Sequence, residues 1–395
     1  MASPRPRPSP APDRPVVPAV AATNAGALPL DAVYEILLRL PAKVLFRLRT
    51  VCRPWRSLLS DPQFAAAYAV RHPGPLLIAT NHVSLVEIMD LSGRNVKKVR
   101  RNEGDWVRCI GPDLVCVKNT RSGICQMLNP ATGAVYYLPQ NLLEEHAATG
   151  LKLSDYGEPS YVFGHVARTG QYKVLRMFLD LKGDSFSDNL FEVCRINNGN
   201  HARWKGKQAP SLSFMWIEST RVVVDGVVYF LSEAVFDFVV YHEHEVTEQE
   251  WIVPFDLDTE EWRPNIKGPS RFVDDSFNMP NNHDDPNSMQ LTLANLNGSL
   301  VICLGTNRYV DLWFLMDIEK GMWVKQHSLQ VEQNGLSLFK VPLLLLDDRR
   351  VVKLVGNRIQ IHDSRTNTSK NMLTLWDFSG ISIYTGNLLS LDGQN

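Results

Sequence analysis

Residues 28–72 read LPLDAVYEILLRLPAKVLFRLRTVCRPWRSLLSDPQFAAAYAVRH. Leu30, Val33, Ile36, Leu37 and Leu40 recur at three- and four-residue intervals, the stripe of an amphipathic helix that Pro29 and Asp31 can open. Pro41 ends that helix and suits the first position of the next, which carries Val44, Leu45, Phe46 and Leu48. A third helix holds Val51, Cys52, Trp55, Leu58 and Leu59. Asp61-Pro62 then stops the chain and restarts it as a fourth helix over residues 63–70. Helices this short are marginal alone, and so is a domain this small. The run is apolar on more faces than it can bury, which predicts a bound protein.

Upstream, residues 1–27 are rich in Pro and Ala and lack the continuous apolar stretch of a secretory signal. Proline removes backbone donors and helix compatibility, so a disordered lead-in is expected there. Across 395 residues the chain is 44% hydrophobic and 21% charged, which suits a folded soluble protein of more than one domain. Lys plus Arg total 41 against 42 Asp plus Glu, so no global field favours nucleic acid or an acidic membrane. The one basic run, RNVKKVRR at 94–101, has no interleaved aromatics for base stacking and reads as a solvated turn and its flank. No apolar run reaches the length of a membrane span. Six cysteines without CxxC or a zinc spacing fit buried thiols in a reducing compartment, cytoplasm or nucleus.

From residue 75 onward the texture changes to short apolar runs cut by Gly, Asn and Asp. LLIATNHVSLVEIMDLSG (76–93) predicts two strands, and residues 106–139 three or four more. Hairpins follow at 161–180, turning at Thr169-Gly170, and at 190–204, turning through residues 197–200. In a third, at 222–232, Asp225-Gly226 suits a type I′ turn. Residues 251–264, 291–304, 310–325 and 341–376 continue the series with no long helical pattern between them. Residues 75–380 therefore read as an all-β domain, followed by a tail over 381–395.

Two patterns repeat within it. One is a strand ending in an acidic or polar turn and a tryptophan: FDLDTEEW at 255–262, LMDIEKGMW at 315–323 and, more loosely, VCRINNGNHARW at 193–204. Trp204, Trp262 and Trp323 lie 58 and 61 residues apart. The other is strand-Gly-strand, VVDGVVYF and NLNGSLVIC, ahead of the two clearer tryptophan motifs. Two hairpins per period make the four-stranded unit of a β-propeller blade, and the length accommodates roughly five to seven blades. The uneven spacing predicts an irregular propeller and leaves a β-sandwich pair as the rival.

The first module resembles the F-box motif, by which F-box proteins attach to the Skp1 adaptor of a cullin-RING ubiquitin ligase. Leu28-Pro29, EILLRLP at 35–41, Leu45 with Arg47, and VCRPWRSL at 51–58 carry the likeness. The resemblance implies an adaptor-facing surface of Leu28, Pro29, Ile36, Leu37, Leu40, Pro41, Leu45 and Val51, over a core of Leu48, Cys52, Trp55 and Leu58. Pro54 departs from the family's usual polar or basic residue before the tryptophan. It falls in the first turn of its helix, where little hydrogen bonding is lost. The other reading is a helical cap with Leu28 and Leu40 in an intramolecular core. LNPATGAVYYLP (128–139), GHVARTGQYKVLRM (164–177), FEVCRINNGNHARW (191–204), VVVDGVVYFLS, IVPFDLDTEEW and NLNGSLVICL ahead of VDLWFLMDIEKGMWVK resemble the kelch-like F-box-associated domain of plant F-box proteins. The fold class implied is a small all-α F-box module (28–72) followed by an all-β domain, an irregular β-propeller.

That family's members are read as substrate receptors. The resemblance implies the substrate-recognition subunit of a Skp1–cullin–F-box ubiquitin ligase. The F-box would hold a Skp1-like adaptor and, through it, cullin. The β domain would present an unknown substrate protein and raise the effective concentration of its lysines. The alternatives are a Skp1-binding regulatory or interaction protein that builds no active ligase, and a receptor whose propeller pocket takes a small molecule. The chain has no G-x-S-x-G, HExxH, P-loop or strand-placed dinucleotide fingerprint, so neither catalysis nor a cofactor is expected. His242 and His244 could face one side of a strand as metal ligands, and Asp256, Asp258 and Glu260 could suggest calcium. A polar rim and a solvated turn are the expected readings. Substrate anchors are sought among aromatic or arginine residues near turns and strand ends: Trp106, Arg168, Tyr172, Trp216, Arg308 and Tyr309. Core or between-blade packing is open to each.

Overall fold

The computed structural model describes residues 28–40, 44–45, 48–49, 51–72, 74–81, 85–102, 104–141, 156–180, 186–196, 202–236, 250–269, 290–305, 309–330, 340–346, 349–375 and 378–385. The lead-in over 1–27, His242, His244, the turn at 197–200 and most of the tail lie outside them.

Helix α1 (Leu30–Leu37) begins at Pro29, whose carbonyl accepts from Val33 N at 3.0 Å. Val44, Leu45 and Leu48 are helical as well. In α2 (Arg53–Leu59) Pro54 occupies the first turn, where its missing N–H costs no hydrogen bond. Asp61 caps α3 (Pro62–Arg71), its carboxylate accepting from Gln63 N at 2.7 Å. The helices are tied by an edge-on contact of Tyr34 with Phe64 at 5.1 Å. Hydrogen bonds from Tyr68 Oη to Leu40 O (3.1 Å) and from Arg49 Nη2 to Leu59 O (2.5 Å) add to it. Leu37, Leu38, Leu45, Leu59 and Phe64 are buried at the centre of one cluster. That cluster continues into Ile78, Val86, Ile88, Val115, Val117 and Leu128 of the β domain, so the module shares its core with the sheets.

The β domain is a propeller of six antiparallel sheets. Blade 1 pairs β1 (Leu76–Asn81), β2 (Leu85–Asp90) and β3 (Asn95–Arg100) with the last strand, β25 (Phe378–Tyr384). Blade 2 holds β4 (Asp105–Ile110), β5 (Val115–Asn119), β6 (Cys125–Leu128) and β7 (Val135–Tyr137). Blade 3 holds β8 (Ser160–Val166), β9 (Gln171–Phe178), β10 (Leu190–Arg195) and β11 (Trp204–Lys207). Blade 4 holds β12 (Arg221–Val224), β13 (Val227–Leu231), β14 (Glu250–Asp256) and β15 (Glu261–Trp262), with β16 (Ile266–Lys267) added beside β14. Blade 5 holds β17 (Gln290–Leu296), β18 (Ser299–Gly305), β19 (Tyr309–Asp317) and β20 (Met322–Gln330). Blade 6 holds β21 (Lys340–Leu345), β22 (Arg350–Val355), β23 (Arg358–Asp363) and β24 (Thr368–Thr374).

The first strands β25, β4, β8, β12, β17 and β21 each touch the next, and β21 returns to β25. They are therefore the innermost strands of a closed ring. Because β25 sits between β21 and β1, the C-terminal strand closes the ring on the N-terminal blade. The sandwich reading is thereby excluded. Each sheet is four antiparallel strands, apart from the short β16, and register shifts interrupt the pairing in the sheets of blades 1, 2, 4, 5 and 6.

One turn recurs from sheet to sheet. At the third-to-fourth strand turn, Asp90, Asn129, Asp256, Asp317 and Asp363 accept backbone N–H groups two or more residues on. The tryptophan follows only in blades 3 to 5, where it joins neighbouring blades. Trp204, Trp262 and Trp323 Nε1 donate to Pro139 O, Gln208 O and Lys267 O of the preceding blade's exit, at 2.8, 2.8 and 2.7 Å. The strand-Gly-strand pattern is the first-to-second strand turn. Asp225-Gly226 and Asn297-Gly298 both take positive φ there, as a type I′ turn requires.

Residues 94–101 depart from expectation. Asn95–Arg100 form the outer strand β3, paired with β2 from Asn95↔Met89 to Arg100↔Leu85, and Arg94 lies in the turn before it. Its cations are engaged locally: Lys98 with Glu87 (2.6 Å), Arg94 with Asp90 (3.0 Å), and Lys97 with the Ala131 carbonyl.

Candidate functional site

The adaptor-facing residues divide by burial. Leu28 (62%), Ile36 (47%) and Val51 (62%) stay exposed, as does Pro29. Leu37 (1%) and Leu45 (0%) are core residues, drawn inward by the contact with α3 and the first blades, and Leu40 is half-buried. Leu37 and Leu45 thus hold the shape of the module instead of forming its surface. Pro41 lies outside the described residues. Of the residues assigned to the core, Leu48, Trp55 and Leu58 pack against the cluster, but Cys52 is exposed at the start of α2. Val70 of α3, 81% exposed, is a further apolar surface residue; its place opposite buried Phe64 and Tyr68 along α3 is the only sequence signal for it.

The module sits at one end of the propeller. Leu76, where the chain enters β1, pairs with Tyr384 at the end of β25, and Ala131 of a third-to-fourth strand turn joins the same core. That end carries the short turns. Antiparallel alternation puts the long connections at the other: residues 138–159, 179–189, 208–220, 232–249 and 268–289 all join strands there. The helical module and the strand ends from which the long connections leave thus lie at opposite ends.

The five described anchor residues are not brought together. Arg168 lies in the β8–β9 turn on the module's end, held by Asp258 in a bidentate pair at 2.6 and 2.8 Å. The Arg168 hydrogen bond keeps the Asp258 carboxyl below the ordinary range. Tyr172 donates to Asp113 on that same end and its ring lies 4.9 Å from His165. Trp216 packs in an aromatic stack, 5.6 Å from Phe214 and 6.2 Å from Phe191, so it is a packing residue. Trp106 (61% exposed) and Tyr309 (42%) begin β4 and β19 at the far end, and Arg308 lies outside the described residues.

The acidic turn at 256–260 is an inter-blade clasp, not a solvated turn. Glu260 receives Lys173 (2.8 Å), Lys205 (3.4 Å) and Lys207 (3.3 Å), all from blade 3. Burial alone would raise its carboxyl, but the hydrogen bond and charge of Lys173, with the other two lysines, outweigh that and hold it below the ordinary range. Asp256 pairs with Arg263 at 2.6 Å. Among the described residues no three His, Cys, Asp or Glu side chains are grouped to hold a metal ion, and no helix is long and apolar enough to cross a membrane.

Sequence reasoning missed a set of charges at the far end. Arg108 of β4, Glu158 ahead of β8, Glu218, and Arg221 of β12 gather where the innermost strands of blades 2 to 4 begin. The available signal was a basic residue inside otherwise apolar strands, DWVRCI and RVVV.

Known proteins match this architecture. A family model described as the F-box associated beta propeller domain matches residues 110–343, and one for the F-box domain matches residues 27–66. The F-box protein At5g18160 of Arabidopsis thaliana is 23% identical over 311 residues, covering 76% of this chain and 70% of its own length. The F-box protein CPR1 of the same plant is 23% identical over 352 residues, covering 85% and 81%. A shorter match, 32% identical over 176 residues, reaches the Arabidopsis putative F-box protein At3g21120 across 38% of this chain and 44% of the other.

Proposed function

The chain belongs to the F-box-associated β-propeller family, and on that premise we propose that it is the substrate-recognition subunit of a Skp1–cullin–F-box ubiquitin ligase. The observation that carries the proposal is polarity. The F-box match, with Leu28, Ile36 and Val51 exposed, lies at one end of the propeller, and the long connections leave from the other. An adaptor on the first end and a substrate on the second could be held together without collision. The chain would raise the substrate's effective concentration near the conjugating enzyme, whose chemistry belongs to other subunits. Cytoplasm or nucleus is the proposed location. The six free thiols support it, among them Cys116 and Cys125, whose sulfurs share a hydrogen bond at 3.4 Å.

Mixing the purified full chain with a Skp1-type adaptor and then a cullin tests this by size-exclusion chromatography. A single peak containing all three is expected. Failure to co-elute with the adaptor refutes the proposal, and co-elution with the adaptor but not the cullin selects the regulatory alternative.

A further inference from the structure

Two arginines meet where the innermost strands of blades 2, 3 and 4 begin. Arg108 Nη2 donates to Pro159 O at 3.3 Å, and Arg221 Nη1 donates to the hydroxyl of Ser160. Their guanidinium groups therefore rest on consecutive residues at the start of β8, on either side of it around the ring. Burial lowers the Arg221 pKa and the charge of Arg108 adds to that, against the pull of Cys109 and Glu218. Among the described residues Arg108 shares its carboxylate with Lys118, and Arg221 has none within ion-pair distance. Glu158 is 3.8 Å from Arg108 but 2.6 Å from Lys118, and Arg221 has no ion pair within 4.0 Å. Burial pushes the Glu218 carboxyl up, with Arg221 and Arg108 pulling it down from beyond ion-pair distance.

Arginine is always charged and presents five donors in a planar fork. Two such forks side by side are an arrangement of donors that an anion would complete. Trp106, two residues before Arg108 on β4, is 61% exposed at this opening. A large amphipathic ring beside charge-assisted donors is the composition of a peptide anchor. A free anion would have no use for the ring.

We propose that this mouth of the propeller binds an acidic segment of the substrate protein, its carboxylate or phosphate bridging Arg108 and Arg221 and its neighbouring residue lying on Trp106. The inference rests on reading the propeller as the substrate-binding part. It assigns the class of substrate to one site.

The test uses the purified full chain and fluorescein-labelled decapeptides: alternating Gly and Glu, the same with central phosphoserines, and an alternating Gly and Gln control. Anisotropy should rise with an acidic peptide and not with the control. The affinity should fall as NaCl increases. Arg108→Gln and Arg221→Gln should each weaken binding by about tenfold or more, the effect of removing one partner of a desolvated charge contact. Trp106→Ala should weaken it about threefold or more. Arg168→Gln, at the opposite end, should leave it unchanged. Binding of the phosphoserine peptide alone identifies a phosphate as the anion, and binding of both shows that a carboxylate suffices. Melting temperatures accompany each variant. If Arg221→Gln melts early, Arg108→Gln and Trp106→Ala decide. Binding of neither acidic peptide, or equal losses in Arg108→Gln and Arg168→Gln, overturns the inference. Adaptor capture is measured on the same samples: capture without peptide binding sinks this site alone, and no capture by the wild type sinks the reading beneath it.

Discussion

Replacing Arg176 with Met should lower the melting temperature of the propeller more than any other single charge removal. Arg176 and Glu192 face each other across β9 and β10 with side chains 2% and 0% exposed. Arg176 Nε donates to Glu192 Oε2 at 2.9 Å, and its Nη atoms donate to Pro139 O (3.3 Å) and Asn141 O (3.0 Å) in the exit of blade 2. Its planar face lies 4.0 Å above the Trp204 ring and 4.8 Å from Phe178. Methionine keeps much of the packing but takes the Arg176 guanidinium away from the buried Glu192 carboxylate. Breaking a buried pair in this way costs about 3–5 kcal/mol. Each kcal/mol is worth roughly 2–4 °C in a large domain, so a fall of about 10 °C is expected. Removing both charges, Arg176→Met with Glu192→Leu, should recover most of it, because the penalty lies in keeping the Glu192 charge buried after Arg176 is gone. Circular dichroism melts of the two variants beside the wild type decide the point. If the double variant melts as low as the single one, the charge argument is wrong and the loss is one of packing.

Three other outcomes follow from the same physics. Trp323→Phe keeps the ring but removes the 2.7 Å bond to Lys267 O, and should cost about 1 kcal/mol in urea unfolding; no change would show the clasp to be idle. Phe64→Ala, emptying a 0% exposed site, should cost about 3–5 kcal/mol and raise hydrogen exchange across α2 and α3 while blades 3 to 5 stay protected. Unchanged exchange there would contradict the shared helical core. His362 is held down to about 4 by burial and the charge of Lys353 and His327, against the pull of Asp363, so the folded state favours its neutral ring. Stability is full above about pH 6.5 and falls as pH drops toward 4, and His362→Asn should flatten the melting temperature between pH 7 and 5.

The helical module is legible in sequence because its apolar spacing, Pro41 and the Asp61-Pro62 restart are local signals, and the F-box pattern orders them. What stays hidden is which way each leucine faces. Leu37 and Ile36 differ by one position yet are 1% and 47% exposed, a choice made by α3 and blades 1 and 2. In the propeller, tryptophan marks blades 3 to 5, whereas Asp90, Asn129 and Asp363 build the same turn without one. Closure is hidden for another reason. β25 pairs with β1 from almost the far end of the chain, and no local pattern encodes so distant a partner. Arg168 and Tyr172 attract notice as exposed residues near a turn, but their partners, Asp258 and Asp113, come from neighbouring blades. Arg108 and Arg221 escape notice because only the ring brings their strands together.

The central claim is that the helices at one end of the propeller are the handle for a Skp1-type adaptor. Isothermal titration of the purified full chain with that adaptor tests it most directly, alongside Ile36→Asp and Val51→Asp, both at exposed positions where a charge leaves the core intact. The wild type should bind one to one, and each variant should bind about tenfold more weakly or worse with an unchanged melting temperature. No binding by the wild type, or equal binding by all three proteins, would contradict the account.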